Sequence, residues 1–215
     1  MLPVVKITFR MRGLMLHVNR NGYILNARVR LAARPMIERE VLHRIRGIIV
    51  HQTGGTSGAS SLNSYLMKNA NGAHFLIDKD GAIYQTASLF RQTWHLGRLR
   101  ARCLAEYRCS PTELNALKRF NPKTEHRIEM AKEVPQRYPS NEDSIGIEIV
   151  GAVLAGNGQN PAEHGIYETV NVQQNASLRW LISELTSTFG IPMTEIFRHP
   201  VVSRKNPTEA RSALW

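Results

Sequence analysis

Apolar residues along the chain change their period several times, and each change predicts an element. Gly47-Ile48-Ile49-Val50-His51 is a short continuous apolar run, the pattern of a strand buried in a central sheet. Ser144-Ile145-Gly146-Ile147-Glu148-Ile149-Val150 repeats that pattern and ends at Gly151. Between them, His74-Phe75-Leu76-Ile77 and Ala82-Ile83-Tyr84-Gln85 flank Asp78-Lys79-Asp80-Gly81, which reads as a hairpin. Leu62, Tyr65, Leu66 and Ala70 follow helical spacing, and Asn71-Gly72 ends that helix. The polar stretch 100–142 holds two more predicted helices, near Pro111 to Phe120 and Glu125 to Glu133, the second stopped by Pro135. The best amphipathic helix places Leu178, Leu181, Ile182, Leu185 and Phe189 on one face, and Gly190 with Pro192 closes it. Strands interspersed with helices predict an α/β (α+β) fold with a central mixed β-sheet flanked by helices.

Residues 1–45 read as an N-terminal extension ahead of a main domain over 46–215. Val5, Ile7, Phe9 and Met11 alternate as a strand does, and Asn21-Gly22 is a strong two-residue hairpin turn. The first residues carry scattered arginines and no uninterrupted apolar stretch, so no classical signal peptide is expected. No stretch approaches the roughly 20 apolar residues that span a bilayer. A substrate outside the cytoplasm would therefore require a specialised export route.

Charge narrows the partner. A net charge of +11 predicts something anionic, because summed charge steers encounter. The basic residues are dispersed, with no basic helix and no aromatic stacking motif, which argues against nucleic acid. Bacterial envelopes are also polyanionic. The two cysteines, Cys103 and Cys109, lack further His or Cys partners nearby and make no structural zinc site. They close a small loop in an oxidising compartment and remain thiols in a reducing one.

Three residues stand out chemically. His51 closes a buried strand and opens into a Gly-rich loop, where ligands and catalytic groups are commonly carried. His199 occupies an analogous place before a Pro-containing loop, and Glu148 is a lone carboxylate inside an apolar strand. A buried charge costs several kcal/mol unless paired or put to use. Two histidines and a carboxylate at strand ends suit a metal with an adjacent general base, although a histidine at a strand end also serves as a hydrogen-bonded structural residue.

Five segments, taken in order, resemble one family. They are Ile48-Ile49-Val50-His51-Gln52-Thr53, Ala73 through Gln85, Trp94-His95-Leu96-Gly97, Ser144 through Gly151, and Arg198-His199 through Lys205-Asn206-Pro207. Together they resemble the N-acetylmuramoyl-L-alanine amidase type 2 family, which includes AmpD-like amidases, phage amidases and peptidoglycan recognition proteins. The resemblance covers residues 45–210. It implies zinc (Zn2+) held by His51 and His199, Glu148 as general base, and Lys205 stabilising the oxyanion. Trp94, His95 and His74 fall where the family meets substrate. The family's third ligand lies where this chain has Pro207, which binds no metal; Glu209 is the expected replacement and Asn206 the alternative. Implied partners are peptidoglycan or a muropeptide and, for an antibacterial effector, a cognate immunity protein. A non-catalytic muropeptide-binding module of the same fold is the alternative reading.

Overall fold

The computed structural model describes residues 16–154 and 164–215. In chain order the strands are β1 (Val29–Leu31), β2 (Glu38–Val41), β3 (Gly47–Gly54), β4 (Phe75–Ile77), β5 (Ile83–Gln85), β6 (Arg91–Thr93), β7 (Ser144–Leu154), β8 (Ile166–Tyr167) and β9 (Ile196–Arg198). The α-helices are α1 (Gly58–Ser64), α2 (Arg102–Ala105), α3 (Pro111–Leu117), α4 (Pro122–Met130), α5 (Val172–Phe189) and α6 (His199–Val202). Among the described residues, seven strands form one mixed sheet in the order β1-β5-β4-β7-β3-β9, with β8 paired to β7. The strands β4, β7, β3 and β9 run parallel, and the β4–β5 and β7–β8 pairs are antiparallel. β2 and β6 make a separate two-stranded ribbon. Among the described residues, no helix is long and apolar enough to cross a membrane.

Strand parity divides the sheet into two chemistries. Ile48 and Val50 of β3 and Ile145, Ile147 and Ile149 of β7 pack with Leu178, Leu181, Ile182 and Leu185 of α5. The predicted stripe is therefore the core-facing side of that helix, capped by Asn171 and Gln174 and closed by Gly190 at φ 67°. On the opposite face, Ile49 joins Leu96, Leu99, Tyr138 and Val202 in a smaller cluster. His51 has the parity of Ile49, and Ser144, Gly146 and Glu148 share one parity on β7. His51 and Glu148 thus lie on the face that α5 leaves uncovered.

Several expectations need correction. The helix after His51 ends at Ser64, although Tyr65, Leu66 and Ala70 keep helical spacing; the chain turns there, with Asn69 at φ 61°. β3 continues past His51 to Gly54, so His51 lies within the strand. Parts of the N-terminal extension belong to the sheet: β1 pairs β5, and Leu16, Ile24 and Val29 enter the main core. The Asn21-Gly22 turn is present, with Gly22 at φ 80° and a bridge between Val18 and Ile24. The predicted strand from Val5 to Met11 lies outside the described residues.

The long segment between β6 and β7 is held by buried ion pairs. Arg102 grips both carboxylate oxygens of Glu195 at 2.7 and 3.0 Å, and Arg137 grips Asp143 at 3.2 and 2.7 Å. Glu125 accepts from the Ala101 amide and Glu129 from the Arg102 amide, satisfying the first donors of α2. Cys103 and Cys109 are disulfide-bonded across this same short helix.

Candidate metal centre and active site

Parallel pairing lines up the chemistry. His51 on β3 is the register partner of Glu148 on β7. On the other side of β3, Val50 partners Arg198 of β9, so the next residue, His199, arrives beside His51. The two Nδ1 atoms lie 2.9 Å apart. Glu209 completes the group from the C-terminal turn, with Oε1 2.9 Å from His199 Nδ1 and 3.5 Å from His51 Nδ1. That turn is anchored where the Ala210 amide donates to Gln52 Oε1 and Arg198 Nε donates to Ala210 O. Glu209 enters from a run of turns.

These three buried groups could hold a metal ion. A tetrahedral zinc with bonds of about 2.0–2.1 Å keeps its donor atoms roughly 3.3 Å apart. The observed separations of 2.9 to 3.5 Å bracket that edge. Burial, followed by the charge of His199, lowers His51 to a pKa of about 4 and keeps it neutral. Burial would raise Glu209, but hydrogen bonds to His199 and His51 overcome this and hold it near 2. A neutral imidazole and an ionised carboxylate are the states in which these side chains ligate metal.

Glu148 differs. Burial and the neighbouring Glu209 charge push it up to about 8, with Lys205 opposing. Its Oε2 is shut off from solvent and has no hydrogen-bond partner. All these groups open into one cavity of about 610 Å³, whose lining also includes Tyr167, Trp94, His95 and Asn141.

The remaining expected residues separate into two groups. Trp94 is exposed at the cavity wall with Arg39 stacked 4.7 Å from its ring centroid. Lys205 is exposed at the rim. His95 lines the cavity, but its Nδ1 lies 2.9 Å from His51 Nε2 and its Nε2 3.2 Å from Ser144 Oγ, so neither nitrogen is left for substrate. His74 is 0% exposed and lies outside the cavity lining. Its Nδ1 accepts from the Gly146 amide and its Nε2 donates to Arg91 O, so both ring nitrogens are spent fastening the start of β4 to its neighbours instead of facing the cavity. Asn206 is likewise spent elsewhere: its amide donates to Gly165 O and its Oδ1 accepts from Thr208.

Two residues escaped the sequence reading. Tyr167 reaches the cavity from β8, a two-residue strand too short to carry a periodic signal. Asn141 accepts from the His95 and Leu96 amides and donates to Leu96 O, fixing the Trp94–Gly97 loop.

The fold is a mixed α/β sheet flanked by helices, with a candidate metal cluster on its open face. The crystal structure of a selenomethionine derivative of AmpD aligns with a TM-score of 0.54 at 15% identity, covering 90% of this chain and 94% of that one. AmpDH3 from Pseudomonas aeruginosa, solved in complex with an anhydromuramic pentapeptide, aligns at 0.48 and 18% identity over 87% and 58% of the two chains. The endolysin amidase LysCS from Clostridium intestinale aligns at 0.45 and 18% identity over 82% and 83%. Residues 42–209 match the family description of N-acetylmuramoyl-L-alanine amidase, and the chain belongs to that family. No curated protein sequence matches it.

Proposed function

We propose that this chain is a zinc-dependent amidase that cleaves the amide between N-acetylmuramic acid and the L-alanine of the peptidoglycan stem. The observation that carries the zinc assignment is the convergence of His51 Nδ1, His199 Nδ1 and Glu209 Oε1 within 3.5 Å of one another. Such an ion, when bound, supplies a Lewis acid that activates water and polarises the scissile carbonyl. Glu148 stands beside His51 and takes a proton from the attacking water at its carboxylate. Burial and the Glu209 charge push its pKa to about 8, which suits the protonated group to hand that proton to the leaving amine. A cation held by His51, His199 and Glu209 would favour the ionised form that first accepts it. Lys205 brings positive charge to the developing oxyanion, an effect commonly of a few kcal/mol. Trp94 offers an exposed ring for the sugar or peptide to lie against.

The proposal extends to the setting. The catalytic domain spans 46–215, and residues of 16–45 brace its sheet. The net charge of +11 suits a polyanionic wall, and the Cys103–Cys109 bridge suits an oxidising compartment. We therefore place the enzyme in the periplasm or on the cell wall, as an antibacterial effector or a lysin; an effector would require an immunity protein in the producing cell.

The test is digestion of purified muropeptides and intact sacculi, with and without a chelator, followed by mass analysis. Released stem peptides with a free alanine amine, lost on chelation and restored by zinc, are the expected result. Intact lactyl-alanine amides throughout would refute the activity and leave a binding module.

A further inference from the structure

His95 is left without a part in the proposed chemistry, yet its two ring nitrogens occupy a continuous hydrogen-bonded chain. Ser144 Oγ donates to Ser140 O at 2.5 Å, so its oxygen is left to accept from His95 Nε2–H at 3.2 Å. A neutral imidazole has one donor and one acceptor nitrogen. His95 Nδ1 is therefore the acceptor, and it takes the hydrogen of His51 Nε2 at 2.9 Å. That leaves His51 Nδ1 as a bare lone pair, and this is the atom facing His199 and Glu209.

We propose that His95 is a positioning residue: the chain Ser140–Ser144–His95 locks His51 in its Nε2–H tautomer and so presents Nδ1 to the metal. This rests on the reading of His51, His199 and Glu209 as metal ligands.

The surroundings are shaped for that purpose. A Cβ built on Gly146 would come 2.7 Å from His95 Cγ and 2.9 Å from its Nδ1, so a glycine is needed for the ring to sit against β7. Ser144 lies two residues earlier on the same face and meets the far side of that ring. Asn141 holds the backbone of His95 and Leu96 at 3.1 and 2.8 Å, which fixes where the ring enters. The His51 and His95 rings stand at 89° to each other, edge to face. Ligating histidines generally donate their second N–H to an acceptor that fixes tautomer and orientation. Here the acceptor is another histidine, itself oriented by a serine.

The experiment uses the full chain stripped of metal, with zinc affinity measured by competition against a chromogenic chelator. Imidazole tautomers are read in parallel from nitrogen NMR of the histidine rings. His95→Phe is expected to weaken zinc binding about 10- to 100-fold and to leave His51 in mixed tautomers. Ser144→Ala, which removes one hydroxyl, is expected to shift the His95 ring away from the Nε2–H form and weaken zinc less. It carries the test if His95→Phe does not fold. Folded variants with unchanged zinc affinity and His51 still in the Nε2–H form overturn the proposal. A wild-type protein that binds no zinc, with His51 fixed as Nε2–H only while His95 is present, instead sinks the metal reading and leaves the relay standing.

Discussion

Glu148 and His51 face each other across β7 and β3 as register partners, which fixes the carboxylate beside the imidazole through backbone pairing alone. Neither side chain needs a loop to reach the other. A carboxylate placed by sheet register is held as firmly as the sheet itself.

Glu148→Gln keeps the volume and removes the proton acceptor. Turnover on a muropeptide should fall about 10²- to 10⁴-fold, while zinc content stays stoichiometric by elemental analysis. Retained activity would remove Glu148 from the mechanism.

Glu209→Ala should abolish stoichiometric zinc, since it deletes one of three donors and leaves two imidazoles facing each other. Because an ion binding only the native state stabilises it by RT ln(1 + [L]/Kd), wild-type protein at a hundredfold excess over Kd gains about 2.7 kcal/mol. A chelator should lower its melting temperature, and Glu209→Ala should show no such shift.

His74 predicts an acid limb of stability. Its burial lowers its pKa from 6.5 to about 4, with the hydrogen bond to Arg91 O opposing. The unfolded chain takes up this proton below pH 6.5 and the folded chain only near 4, so stability is full above 6.5 and is lost as pH falls toward 4. The contribution is on the order of 3 kcal/mol. Urea melts from pH 7 to 4 should show the loss, and His74→Gln should flatten it.

Removing one partner of a buried ion pair typically costs about 3–5 kcal/mol. Glu195→Ala removes the buried partner of Arg102, which keeps only Glu106 at its Nε and the Arg137 carbonyl, and should lower stability by up to that amount in urea melts. The double change Arg102→Met with Glu195→Leu should recover most of it.

Tyr167 keeps its proton: burial, then the charges of Glu209 and Glu148, push its pKa up to about 12. Its hydroxyl is therefore available as a donor in the cavity. Tyr167→Phe should reduce kcat/KM by about 3- to 10-fold, the worth of one neutral hydrogen bond, without changing zinc content. A larger loss would mean that the phenol does more than hold substrate.

Much of this was legible in the sequence where burial is continuous. The isoleucine runs of β3 and β7 and the stripe on α5 announce themselves because both sides of each contact are apolar. The hairpin of β4 and β5 was legible from its turn, with Gly81 at φ 82°. Three-residue strands such as β1 and β9 were not, because no period can be read over so short a span. Of the candidate site, His51, Glu148, His199 and Glu209, which the structure brings together, were singled out from residue chemistry together with a family resemblance. The placing of His74 and His95 was not, since a histidine reads the same whether it ties down a strand, props a neighbour or meets substrate. Only partners distant in sequence, Gly146 and Ser144 in these cases, tell those uses apart.

The alternation of β7 has one more implication. Ser144, Gly146 and Glu148 occupy the open side while Ile145, Ile147 and Ile149 occupy the oily one. Inserting or deleting a single residue ahead of Glu148 within this strand would exchange the two sets wholesale. The acid would be driven under α5, and a branched hydrocarbon would stand beside His51. The candidate site and the oily core of this strand are thus set by a single register, inherited or forfeited together.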